Sequence, residues 1–401
     1  MDIIEVKDVY TFRDKVNKKN HILQFLPQPL EYIIGTKSIN YNNAKLKSSY
    51  IIDIIHNLLL KYYFKKENSF NLSSLILKER YGDRYNYYID YLVSNKLIIL
   101  LKNHQKGKNA RIYKLSDDII NGDIKRYKNT DKVLLKKYRI AISLVDDSYG
   151  KSILPEVKKK IVNDLFSVNV DYAKCIFFLD STNQDNDIYN KNKYSVDSIR
   201  ENHIFYHFDD YGRFHTNFTI LKSFIRKNCL LIDGEETYEK DISNSQPLFL
   251  CKLIHDNDNH IVDKKEFELF KILTLNGNFY QYLIDNSGIK ISRKEIKEVV
   301  YKVLFGKNYK NKHDDLFKKI FPTIHQFIKS YKKEKGNYKI LSYDLQRSES
   351  NLIYNKIIKK MMDLYPEIKV VTVHDSIIVQ RRYKEIVDII FKQKLSEEFN
   401  F

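Results

Sequence analysis

Tryptophan is absent from these 401 residues, and cysteine and methionine occur three times each. Cys175, Cys229 and Cys251 stand far apart and lack the paired spacing of a zinc site or a disulfide framework. They read as buried thiols in a reducing compartment. No apolar run reaches the ~18 residues that a membrane helix needs. The opening MDIIEVKDVYTFRDK is charged and carries no apolar signal core. The expectation is a soluble, intracellular, cytoplasmic chain with no membrane partner. No internal repeat and no long low-complexity linker interrupt it. Acidic residues are in deficit: 69 Lys and Arg against 51 Asp and Glu leave a formal charge of +18. An AT-rich genome would enrich Lys, Asn, Ile and Tyr whatever the function. Asn and Ile are neutral, so that bias leaves the excess charge to be explained, and a polyanionic partner suits it. Aromatic rings are plentiful, with 31 Tyr and 23 Phe, enough to offer stacking surfaces to single strands. The length suffices for two or three domains with their own cores.

Chemistry concentrates in the C-terminal half. TYEKDIS sets Asp241 at the end of a short extended stretch. IKVVTVHDSIIVQ is a β-branched run broken by His374, Asp375 and Ser376, which reads as strand, tight polar turn, strand. An Asp at such a turn is costly to bury unless positive charge compensates it, and Mg²⁺ suits one or two carboxylates plus substrate phosphates. Taken singly, either Asp reads first as a helix cap or a turn residue. Between them, SRKEIKEVVYKVLFGK repeats Arg293, Lys297, Tyr301 and Phe305 every four residues. That spacing holds them on one helical face. Ser292 is placed to cap the start and Gly306 to end the helix. The face offers two cations to a triphosphate and two rings to a base or sugar; the plain alternative is an amphipathic helix with a solvated basic edge.

In this order the segments resemble the polymerase module of the family A DNA polymerases and of their relatives, the phage-type single-subunit RNA polymerases. In that superfamily the first motif supplies a metal-binding Asp, matched by Asp241. The second is R-x₃-K-x₃-(aromatic or Met)-x₃-Y-G, matched by Arg293, Lys297, Tyr301, Phe305 and Gly306, with Phe where the family has its final Tyr. The third is His-Asp-Glu or His-Asp-Ser, matched by His374, Asp375 and Ser376. YGRFHT is similar to the Gly-Arg segment that touches primer–template, making Arg213 its arginine. LQRSESNLIYNKIIKKMM is similar to the Gln-led helix before the third motif, making Gln346 the residue near the primer terminus.

The resemblance covers roughly residues 205–385. It implies an α+β fold: a right-hand palm built on an antiparallel sheet, with helical fingers from about 265 to 340. It also implies two Mg²⁺ ions, or Mn²⁺, on Asp241 and Asp375; a triphosphate on Arg293 and Lys297; and Tyr301 and Phe305 stacked on the nucleotide. Arg213, Gln346 and His374 would then lie near the primer end.

Compact spacing between the motifs favours the DNA branch. Details of the motifs point toward ribose. The family's DNA enzymes place a Glu five residues after the first Asp, where it excludes a 2′-hydroxyl; here that position is Gln246. Phe305 lacks the hydroxyl with which Tyr would bond that Glu, and Ser376 is the residue of the RNA branch. The expected activity is therefore a small DNA polymerase with relaxed sugar selection. The alternatives are a primase or single-subunit RNA polymerase, and, from another class, a replication initiator or DNA-binding regulator with an inactive polymerase-like domain. Expected partners are a DNA primer–template or single-stranded template, nucleoside triphosphates and other replication proteins.

Residues 1–120 read as an accessory module. Helical patterns at 45–66, in NLSSLILKERYG and in DRYNYYIDYLVSNK precede a basic-tipped hairpin, LIILLKN-HQKGKNA-RIYKLSD. Three helices and a hairpin resemble a winged helix, with recognition near Tyr81–Ser94 and Lys106, Lys108 and Arg111 in the wing. The alternative is a small helical domain that braces a neighbour. Residues 121–204 read as a thumb-like connector around an Asp- and Asn-rich stretch, followed by palm and fingers at 205–401. Two look-alikes are set aside. Asp233-x-Glu235 has the shape of a proofreading motif but reads as a turn, so no proofreading is expected. His255, Asp256, Asp258 and His260 cluster like metal ligands but read as a polar loop.

Overall fold

A computed structural model describes residues 20–104, 110–138, 152–182, 184–204, 206–257, 261–308 and 312–400. The fold is mixed α+β with antiparallel sheets. The chain separates into two compact units, each discontinuous in sequence. The first comprises Met1–Ser148, Phe166–His207 and His215–Glu236; the second comprises Tyr149–Leu165, Phe208–Phe214 and Thr237–Phe401.

In the first unit, strand Ile22–Pro27 pairs with Ile124–Asn129. Between them run helix Ser48–Leu60, strand Phe70–Asn71, helices Ser74–Tyr81 and Tyr85–Ser94, and strands Ile98–Lys102 and Ile112–Leu115. The last strand is central in a three-stranded sheet, flanked by Phe70–Asn71 and Ile98–Lys102. Gly82 separates the second and third helices at φ +85°, a conformation open to glycine. Helix Ser48–Leu60 buries nearly every side chain, Asp53 included. That carboxylate is fully covered because donors surround it: Arg80 Nε at 2.8 Å, Tyr81 Oη at 2.7 Å, Tyr138 Oη at 2.8 Å and Gln24 Nε2 at 2.6 Å.

The Asp- and Asn-rich stretch, whose composition suggests no element, forms helix Asn186–Arg200. Its polar residues go inward: Asn190, Asn192, Ser195 and Asp197 are all buried. Asp197 is held by Arg126 at 2.9 Å, and Asn192 Oδ1 accepts from Lys222 N at 2.9 Å. Asp233 and Gly234, at φ +50° and +81°, make the two-residue turn that joins strands Leu230–Ile232 and Glu235–Asp241. Lys106 and Lys108 lie outside the described residues; Arg111 is exposed beside its strand.

In the second unit, residues 237–241 pair antiparallel with Ser376–Gln380, which pairs in turn with Val371–Val373. From 264 to 334 the unit is helical: Lys264–Leu275, Phe279–Asp285, Arg293–Phe305, Lys312–Ile320 and Pro322–Glu334. Helix Pro155–Asp164 braces the approach to the central hairpin: Asp164 Oδ2 accepts from Val370 N at 2.9 Å and Lys160 Nζ donates to Ile368 O at 2.8 Å. Residues 121–204, read as one connector, thus divide between the two units: helix Pro155–Asp164 belongs to the second and helix Asn186–Arg200 to the first.

Candidate active site

The antiparallel register places Asp241 opposite Ser376, so the end of one strand meets the turn of the neighbouring hairpin. Directly opposed Cα atoms in such a pair lie roughly 4.5–5.5 Å apart. Ile242 N donates to Asp375 O at 3.3 Å, which ties the turn to the strand end. His374 and Asp375 form the two-residue loop of the hairpin, with His374 at φ +54°. His is among the few non-glycine residues enriched there. Two acids distant in sequence become neighbours because the strands that carry them pair.

The two carboxylates differ in environment. Asp241 is exposed and Asp375 is half-buried. Neither forms an ion pair among the described residues. Burial, then the negative charges of Glu349 and Asp241, push the Asp375 carboxyl up to about 6, with Arg213 opposing.

Glu349 was not anticipated. It lies in helix Ile340–Ser350, is almost fully buried, and collects four donors. Arg213 Nη2 and Nε reach its Oε1 at 2.8 and 3.2 Å; Ser245 Oγ and Gln246 Nε2 reach its Oε2 at 2.6 and 2.5 Å. Gly212 makes the first of these bonds possible. Its φ is +83°, and a Cβ there would sit 3.1 Å from Ser350 Cβ, so only glycine lets the turn approach the helix that closely. A signal for Glu349 did exist. Leu341, Leu345, Glu349 and Leu352 follow one helical period, and an acid inside an apolar stripe is buried and paired.

Helix Arg293–Phe305 forms as its sequence suggests. Ser292 and Glu295 make a reciprocal capping box, and Gly306 closes the far end. Gly306 does so at φ −76°, where space and not handedness demands glycine: a Cβ would lie 2.3 Å from Lys302 O. Ile296, Val299, Val300, Val303 and Leu304 face the core, while Arg293, Lys297 and Tyr301 are exposed. Both cations flank the ring of Tyr280, at 5.6 and 5.4 Å. Tyr301 stacks on Phe305 with centroids 5.5 Å apart and planes 15° from parallel. Burial, and next the charge of Asp375, push the Tyr301 hydroxyl up, which puts this face within electrostatic reach of the acids. Buried Lys332 donates to Val303 O at 2.7 Å and Gly306 O at 2.8 Å, satisfying the helix's last carbonyls.

Several site residues differ from their expected surroundings. Gln346 is in mid-helix, not at its lead, because the helix begins at Ile340. Its continuation, Asn351–Ile358, is wound as a π-helix. Arg213 faces Glu349 through Nε and Nη2. His255 and Asp256 belong to helix Ser245–Asn257 and not to a loop, since the amphipathic pattern of that helix runs on through them; Asp258 and His260 lie outside the described residues. No family model matches the chain, and no curated protein matches it.

The acids fit a divalent cation of the hard, oxygen-seeking kind. Two neighbouring carboxylates with no cationic partner among the described residues, one with its proton affinity raised by burial and then by like charge, would be stabilised by such an ion. No cluster of three or more His, Cys, Asp or Glu able to hold a metal occurs among the described residues. No helix among the described residues is long and apolar enough to cross a membrane.

Proposed function

We propose that this chain is a template-dependent nucleotidyltransferase of the family A polymerase type, a small DNA polymerase without proofreading and with relaxed sugar selection. The observation that carries the reading is the pairing of strand 235–241 with the His374–Asp375 hairpin, which joins two carboxylates beside a helix that presents two cations. On this reading the antiparallel strands 237–241, 376–380 and 371–373 are the palm, and helices 264–334 are the fingers.

Asp241 and Asp375 would hold Mg²⁺ or Mn²⁺. When bound, the ions neutralise the phosphates and acidify the attacking 3′-hydroxyl. The remaining roles belong to the chain. Arg293 and Lys297, pre-set against Tyr280, grip the triphosphate. Tyr301 and Phe305, already stacked on each other, offer a flat surface to the base. His374 and Gln346 flank the primer end. Glu349 holds Arg213 and Gln246 in fixed orientation, which is the preorganisation that phosphoryl transfer needs.

The order helix, strand, helix, helix, hairpin in the first unit supports a winged helix that binds the template duplex. It also favours a second reading, a DNA-binding regulator whose polymerase-like part is inactive. Extension of a labelled primer separates the two. The polymerase reading expects extension by wild type in Mg²⁺ or Mn²⁺ and a loss of about a thousandfold or more in Asp375→Asn, the scale on which a group central to charge stabilisation acts. Specific duplex binding with no extension by wild type would establish the regulator.

A further inference from the structure

His21 stands immediately before strand Ile22–Pro27, and His203 follows helix Asn186–Arg200. Both belong to the first unit. Asn202, at φ +55°, turns the chain out of the helix, and its amide donates to Ile199 O at 2.9 Å. The next residue is then held by its backbone: His203 N donates to Ser198 O at 2.7 Å, and His203 O accepts from Asn217 Nδ2 at 3.2 Å. His203 is 2% exposed, and its Nε2 lies 2.9 Å from Nε2 of His21.

The two ring centroids are 4.7 Å apart and the planes 43° from parallel. A straight N–H···N bond between imidazoles at this nitrogen spacing would hold the centroids about 5.2 Å apart, so these rings lean. Imidazoles bound at right angles to one ion, roughly 2.0–2.1 Å from it, place their nitrogens about 2.9 Å apart and their centroids about 4.5 Å apart. A tetrahedral ion would spread the nitrogens to about 3.4 Å. The observed spacings fit the right-angled case best, which is the tetragonal geometry of Cu²⁺ and Ni²⁺. Next to His203 in the chain, Asn202 buries an Oδ1 with no hydrogen-bond partner among the described residues, so the protein alone leaves a polar demand there.

We propose that His21 and His203 form a two-imidazole site for a divalent ion of the Cu²⁺ and Ni²⁺ class, unlike in chemistry to the carboxylates Asp241 and Asp375. Coordination uses both Nε2 lone pairs, so each ring carries its proton on Nδ1 and the Nε2–H of the hydrogen-bonded pair is given up. No third His, Cys, Asp or Glu joins the two rings among the described residues. The ion ties the entrance of the first strand to the exit of a helix 182 residues away and stabilises the first unit by binding its folded form. The proposal stands whether or not the chain is a polymerase.

The test is Ni²⁺ binding to the untagged full chain by titration calorimetry at pH 7.5, in excess Mg²⁺ so that oxygen sites are already served. Wild type should bind one Ni²⁺ and rise in Tm. His21→Gln and His203→Gln keep a group that can hydrogen-bond the remaining imidazole but lose the ligand nitrogen. Each should weaken Ni²⁺ by at least about tenfold, the scale on which even an outer-shell partner acts, and lose the gain in Tm. His207→Gln, which alters a histidine stacked on His215 instead, should change neither. Melting curves in EDTA certify the fold, and if one variant does not fold the other decides. Wild-type affinity should fall below about pH 6.5, where imidazole takes up a proton. The EPR spectrum of wild type with one Cu²⁺ should show two nitrogen donors. No Ni²⁺ binding by wild type, fewer than two nitrogen donors on Cu²⁺, or affinity within about threefold of wild type in the folded Gln variants overturns the proposal and leaves the pair as a hydrogen bond only.

Discussion

Replacing Asp375 by Asn should stabilise the metal-free protein at neutral pH. The Asp375 carboxyl is raised from 3.8 to about 6 by burial and by the charges of Glu349 and Asp241, with Arg213 opposing. A carboxyl whose folded pKa lies above its unfolded value contributes stability below pH 3.8 and loses it as pH rises through 6. Each tenfold gain in proton affinity corresponds to about 1.4 kcal/mol, so a rise from 3.8 to about 6 puts the penalty above pH 6 near ~3 kcal/mol. Asn keeps the shape and removes the charge, so Asp375→Asn should gain about 1–3 kcal/mol at pH 7.5 and little at pH 4. For a unit of this size that is roughly 2–12 °C in Tm. Divalent cation should reverse the ranking: Mg²⁺ raises the Tm of wild type and leaves Asp375→Asn nearly unmoved. Scanning calorimetry in EDTA and in Mg²⁺, at pH 4 and 7.5, measures both proteins under every condition. A variant less stable than wild type at pH 7.5 in EDTA, or equal Mg²⁺ stabilisation of both proteins, would refute the reasoning.

Other outcomes follow from the same geometry. Gly212→Ala should lose about 1–3 kcal/mol, because φ +83° and Ser350 at 3.1 Å both exclude a Cβ; urea unfolding measures it, and an unchanged midpoint would contradict it. Burial pushes the Lys332 ammonium down to about 8. Its charge therefore destabilises the fold below pH 8 and ceases to do so as pH rises toward 10.5, so wild-type stability should climb by about 2–3 kcal/mol between pH 7 and 9.5 while Lys332→Met stays flat in parallel melts. Losing Asp53, which leaves Arg80 buried without its partner, should cost about 3–5 kcal/mol in Asp53→Ala, read by calorimetry as a fall in the Tm of the first unit. On the proposed winged-helix reading, charge reversal at Lys106, Lys108 and Arg111 should weaken duplex binding and flatten its salt dependence by about one unit of log–log slope for each phosphate no longer neutralised, measured by fluorescence anisotropy across a salt series.

What the chain declared in its own letters was local. The four-residue stripe from Arg293 to Phe305, its Ser292 cap and its Gly306 stop were legible because helical period and capping act within a few residues. The strand–turn–strand around His374 and the Asp-Gly turn at 233–234 were legible for the same reason. Pairing decided the rest. Only the register of strand 235–241 against 376–380 makes neighbours of Asp241 and Asp375, and only the close pass of Gly212 over Ser350 brings Arg213 to Glu349. Burial of the Asn-rich helix 186–200 likewise depends on partners such as Arg126 and Lys222, far away in the chain. Short-range geometry is written in neighbouring residues. The burial and charge that lift Asp375 and the bond that holds Gln246 come from residues distant in the chain, and they exist only once it has folded.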